Sequence, residues 1–223
     1  MKFDSSSPVD AQHCLAIKHE YLRCRDAFDL FHQAATGIVL SGHTKEAAYR
    51  AYNAYSYFVL HLYEFLIALH ARDYGDTDVV SRKTAEKMET KREDILDALV
   101  NEDASRVVQN RIDRIKRGSA PSHENDLGYY TKLLPLPSAF ATELRRTRNK
   151  IGAHVTHERI GEIDLTDFYK KYHPYLYLLF RDIGDYWGRH CDDMPDLHQV
   201  TNFFKAVVES QTSATGGAGG NCS

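Results

Sequence analysis

Apolar residues along this chain return at intervals of three and four, and no run keeps the two-residue alternation of a strand. Over residues 9–40, Leu15, Leu22, Phe28, Phe31 and Ile38 mark one face of a long amphipathic helix that Gly42 closes. Thr44, in the run Thr-Lys-Glu-Ala, offers a hydroxyl cap for a second helix. That helix carries Tyr52, Tyr55, Phe58, Val59, Leu62, Phe65, Leu66 and Leu69 to a stop at Gly75. Its apolar face exceeds half its circumference, which predicts a central position touched by several neighbours.

Residues 77–117 are more charged and only weakly periodic, and predict one or two solvent-facing helices with a break near Asn101–Asp103. Gly118 to Gly128 reads as a loop, the one internal candidate for a mobile lid or a domain boundary. Pro135 and Pro137 keep the chain extended up to Ser138, the expected cap of a helix starting at Ala139. Gly152, Val155 and Thr156 weaken that helix, and Gly161 turns the chain. A fresh start at Asp164 or Thr166 leads into a strongly apolar helix through Phe168, Tyr172, Leu176, Leu179, Ile183 and Trp187, with a bend expected near Pro174. A last helix over roughly 195–210 precedes a flexible, glycine-rich tail at 211–223. The expected architecture is an all-α bundle of five to seven helices, one domain over residues 1–210.

Composition adds limits. The 223 residues carry a net charge of -3, which excludes a protein that coats nucleic acid by bulk positive charge. Local basic runs remain at 144–150 (Arg145, Arg146, Arg148, Lys150) and 106–117 (Arg106, Arg111, Arg114, Lys116, Arg117), where a polyanion would dock. The four cysteines make no CxxC pair and have no zinc-type spacing, so reduced thiols of a cytoplasmic protein without a metal or other cofactor are expected. No signal peptide and no apolar run of about 18 residues is present, which argues against secretion and against a membrane partner. The 14 tyrosines include a stripe at 49–63 expected to pack in the core, with stacking of Tyr57 or Tyr63 on a base as the functional variant, while His13 and His19 read as exposed polar groups.

The stretch Arg148-Asn149-Lys150-Ile151-Gly152-Ala153-His154 is the one ordered group of reactive side chains. On an ideal helix Arg148 and His154 stand about 120° apart and about 9 Å along the axis, so they converge on one phosphate only if the helix yields near Gly152 or a second subunit completes the site. Arginine presents a fork of donors to phosphate oxygens, and histidine titrates near neutrality and can move a proton of a ribose hydroxyl. Those two groups suffice for RNA cleavage by 2′-hydroxyl attack without a metal. Asn149 would orient either one, and Arg145, Lys150 and His157 would contact the substrate. Glu64, inside the apolar second helix, is either a residue of its narrow exposed face or a carboxylate that orients a basic side chain. A competing use of His154, His157 and Glu158 as metal ligands lacks the HExxH order.

At Arg148, Asn149 and His154 the sequence resembles the HEPN superfamily, all-α domains whose signature is an arginine, a polar residue and, after a short spacer, a histidine. Five residues separate Arg148 from His154 here, against a commonest spacer of four. The resemblance implies a homodimer with two motifs facing a shared cleft, acting as a metal-independent endoribonuclease, often a toxin or antiviral defence effector with a restraining antitoxin or regulatory partner. In one toxin branch a tyrosine two residues after the histidine is modified by the antitoxin, whereas Thr156 stands at that position in this chain. Other relatives of this type are inactive modules that bind RNA, a nucleotide or a protein partner.

Overall fold

The computed structural model describes residues 7–42, 44–153, 164–188, 200 and 202–209. Among these there is no strand, and the architecture is an all-α bundle. Its helices are α1 (Pro8–Ser41), α2 (Lys45–Tyr74), α3 (Arg82–Lys87), α4 (Arg92–Lys116), α5 (Leu127–Thr131), α6 (Phe140–Ala153) and α7 (Leu165–Trp187), followed by a helical stretch over 202–209 that we label α8. No helix among the described residues is long and apolar enough to cross a membrane. The expected turn at Gly161 and the tail at 211–223 lie outside the described residues.

Helices α1 and α2 form an antiparallel hairpin, shown by Asp10, Glu20 and Phe31 meeting Arg72, His61 and Tyr55 in reverse order. Local chemistry sets the boundaries. Ser7 caps α1 with Pro8 in its first turn, Thr44 accepts from the Ala47 amide, and Gly75 takes the left-handed conformation (φ 63°) that ends α2. As the apolar pattern requires, α2 is central. Phe58, Val59, Leu62 and Phe65 are fully buried, and α2 packs against α1, α4, α6 and α7. On α1 the buried face is built by Ile17, Tyr21, Leu22 and Cys24 rather than by Leu15, which is exposed. The tyrosine stripe divides: Tyr55 and Tyr63 are core residues, whereas Tyr49, Tyr52 and Tyr57 face outward, because a 15-residue stripe on one helix sweeps past the width of any one contact.

The segment 77–117 departs from expectation. There is no break at Asn101–Asp103, where α4 runs straight through, and the interruption falls at residues 88–91. Nor is α4 solvent-facing, for Val100, Ala104, Val107, Val108 and Ile112 form a buried stripe. Charged residues Asp97, Asp103 and Arg111 share that buried face because each is paired, which disguised the periodicity. The Gly118–Gly128 loop is pinned at its middle: Arg111 donates to Glu124 at 3.0 Å and the Tyr130 hydroxyl also donates to it, linking the loop to α4 and α5. Those bonds hold the Glu124 carboxyl below the usual range against the opposing effect of burial.

Asp164 caps α7 as expected, accepting from the Thr166 and Asp167 amides, and the helix continues past Pro174 to Trp187. Its inner face enters an aromatic layer. Phe28 packs at a tilt on Phe180 and Phe31 on Tyr55, and the His173 ring stacks 4.4 Å from the Tyr169 ring. Burial drives the His173 imidazole down to about 4, so it is neutral at physiological pH.

Two outcomes follow. Glu102→Pro places proline in the middle of α4 and is expected to cost about 3 kcal/mol or more in denaturant unfolding, against a few tenths for Glu102→Ala. A chain broken at 101–103 would tolerate it. Because the folded state lowers the His173 pKa, the unfolded chain takes up that proton first as the pH falls, so the protein loses stability between about pH 6.5 and pH 4. His173→Gln removes that contribution, and its stability relative to the unmodified protein is expected to rise as unfolding is measured from pH 7 down to pH 4.

Candidate functional site

Helix α6 delivers the motif. Phe140, Ala141, Leu144, Thr147 and Ile151 recur every three or four residues and are buried, seating α6 against α2 and α4. The arginines beside that stripe reach two different neighbours.

Arg145 grips α4. Its Nε and Nη2 donate to the two oxygens of Asp97 at 2.8 and 2.9 Å, and the Thr142 hydroxyl adds a bond of 2.8 Å to the same carboxylate. The guanidinium placed among the substrate contacts by sequence is therefore committed to a buried acid, and it anchors α6 rather than facing an open surface.

Arg148 reaches α2. Its Nη2 forms an ion pair with Glu64 Oε1, its Nη1 donates to Asn149 Oδ1 at 2.8 Å, and its guanidinium carbon lies 5.6 Å from the centre of the Tyr63 ring. The Arg148 Nε is buried without a hydrogen-bond partner. Glu64 is paired with Arg148, and both partners keep about a third of their surface in solvent. Asn149 is exposed, and its Oδ1 accepts from Arg148. Tyr63 stays protonated because burial, foremost, pushes its hydroxyl up to about 12. Being buried beneath the guanidinium, Tyr63 supports the arginine with its face and offers no surface for a base.

Lys150 is half-buried in the last turn of α6, and Arg146 is exposed, 3.6 Å from Glu143. His154 and His157 lie outside the described residues, as do Thr156 and Glu158, and with them the alternative set of metal ligands. Among the described residues no group of three or more histidine, cysteine, aspartate or glutamate side chains converges as a cation site.

Two surroundings qualify the basic character of this end. The cavity of about 300 Å³ between α6 and α7 sets Arg146 and Lys171 against Glu143, Asp164 and Asp167, a balance that does not attract a polyanion. In the run 106–117, Arg111 is buried against Glu124, whereas Arg106, which donates to Asp103, Lys116 and Arg117 are exposed. Sequence reasoning missed Asp97 as the partner of Arg145. The available signal was an acid at an apolar-stripe position of α4, one helical turn before Val100 and Asn101.

Asp97→Ala strips Arg145 and Thr142 of their common acceptor and is expected to cost about 2–3 kcal/mol in guanidinium unfolding. Thr142→Val, which removes only the hydroxyl, should cost about 1 kcal/mol.

Comparison with family models, with curated proteins and with solved structures finds no match to this chain.

Proposed function

We propose that the chain is a metal-independent endoribonuclease that cleaves RNA through attack of the 2′-hydroxyl on the adjacent phosphate. The observation that carries this reading is Arg148, held at the end of α6 between Glu64 and Asn149 and over the Tyr63 ring, with donors left for a further acceptor. A guanidinium fixed this way meets non-bridging phosphate oxygens without first losing rotamer freedom, which favours the transition state over a flexible surface arginine.

In the proposed reaction, the neutral imidazole of His154 accepts the 2′-hydroxyl proton and the 2′-oxygen attacks phosphorus. Arg148 stabilises the charge that grows on the phosphate oxygens. The 5′-oxygen departs and takes a proton from a water molecule, leaving a cyclic 2′,3′-phosphate and a 5′-hydroxyl, and the His154 imidazolium returns its proton to the solvent. Asn149 fixes the fork of Arg148, and Lys150 and His157 add contacts to the RNA. The likeness to HEPN domains at Arg148, Asn149 and His154 supports a homodimer, and a toxin or defence role under a restraining partner.

One observation favours a second reading. Glu64 already neutralises Arg148, which suits an inactive module that uses this end of α6 to bind RNA, a nucleotide or a protein partner.

Incubation of purified protein with mixed RNA in excess EDTA separates the two. The nuclease yields cyclic 2′,3′-phosphate ends, a rate reduced at least about 100-fold by His154→Ala, and a loss of similar size in Arg148→Ala. Glu64→Gln, which retains the side-chain shape, is expected to slow cleavage by about tenfold through looser placement of Arg148. RNA retained on the protein but never cut, with or without these substitutions, establishes the binding module.

A further inference from the structure

A cavity of about 160 Å³ lies where the loop before α5 meets the middle of α7 and the C-terminal half of α4. Its described walls include Arg111, His123, Glu124, Tyr129, Tyr177 and Arg181. That volume equals about five water molecules, so it suits one polar group of a few heavy atoms.

The hydrogen-bond inventory of these walls is one-sided. Glu124 is committed on both oxygens: Arg111 donates to Oε2 at 3.0 Å, and the Tyr130 hydroxyl donates to Oε1. Arg111 is committed as well, for its Nη2 also faces Asp185 and Asp182 at 3.8 and 4.0 Å, neither of which is a wall residue. Arg181 is in the opposite condition. Its Nη1 donates to the Tyr177 hydroxyl one helical turn earlier, at 3.2 Å, and its guanidinium carbon lies 5.8 Å from the centre of that ring. Asp185 and Glu124 act on it only across a longer distance, and it forms no ion pair among the described residues. Its Nε and Nη2 have no partner among those residues and keep exposed surface. Tyr177, having accepted from Arg181, has its own proton left to donate, and the exposed His123 can donate from a ring nitrogen.

We infer that this cavity is a binding site for a phosphate group, free or as the phosphomonoester of a small molecule, held by the fork of Arg181 and the Tyr177 hydroxyl. Spare donors beside a carboxylate with no spare oxygen select an oxyanion over a cation. Phosphate oxygens accept from several directions at once, matching donors that come from both α7 and the loop, whereas a carboxylate offers two oxygens in one plane. The site does not involve Arg148 and stands apart from the proposed nuclease chemistry.

Calorimetric titration of the full chain with inorganic phosphate, in a buffer free of other oxyanions, tests the inference, with ribose 5-phosphate and acetate run beside it. Expected is a saturable phosphate site whose affinity falls at least about tenfold in Arg181→Gln and about threefold in Arg181→Lys, which keeps the charge without the fork. Tyr177→Phe, which removes a hydroxyl that both orients Arg181 and donates, should lower it about fivefold. Lys83→Gln makes the same change in net charge on the exposed face of α3, outside the cavity, and should leave binding unchanged. Circular dichroism should show the same helicity in all four. Tighter binding of ribose 5-phosphate supports the site as one for a monoester, and tighter binding of inorganic phosphate supports it as one for the free ion. No saturable site, acetate bound as tightly as phosphate, or equal losses in Arg181→Gln and Lys83→Gln overturns the inference. So does binding lost in Arg148→Ala but kept in Arg181→Gln, which would place the anion at the end of α6.

Discussion

Burial of α2 is the constraint on which the rest depends. A helix with buried residues around more than half its circumference cannot be satisfied by one neighbour, so α1, α4, α6 and α7 all pack against it. Its buried side chains are therefore shared among several partner helices. Tyr63 and Glu64 point where α6 passes and meet Arg148, whereas Tyr55, a little over two turns earlier along α2, meets α1 and α7.

Charge pairing carries the second level of organisation. Buried carboxylates and guanidiniums join helices that apolar contact alone would leave free to slide: Asp97 to Arg145 between α4 and α6, Asp103 to His70 between α4 and α2, and Glu124 to Arg111 between the 118–126 loop and α4. Such pairs add little net stability over apolar residues of equal size, but an unpaired member is costly, and this asymmetry makes the register specific. The same logic governs Arg148, with the difference that it stays partly in solvent and keeps donors for another acceptor.

How much was legible in the sequence follows from these two levels. The apolar periodicity of α2 and α7 survives inspection because nothing interrupts it, and Thr44, Gly75 and Asp164 act locally, so their capping roles could be read directly. Helix α4 was misjudged because its paired charges occupy core positions, and a pair can only be recognised once both partners are placed. The candidate site shows both cases. Arg148 and Asn149 were visible as a motif, and Glu64 as an acid in an apolar run. The commitment of Arg145 to Asp97, 48 positions away, depends on tertiary packing that no local pattern encodes.

The bond between Arg72 and Asp10 has a consequence for the way the molecule opens. Two parallel contacts of 2.6 and 2.9 Å close the α1–α2 hairpin at the end opposite its turn, with the arginine side chain almost fully enclosed. A terminal helix ordinarily frays from its free end, where each lost residue gives up only local contacts. Here the first turn of α1 is fastened like a clasp, and peeling it away means exposing a charge pair before any apolar surface is released. Opening of the hairpin is thereby shifted away from this end, and α1 stays a wall of the bundle.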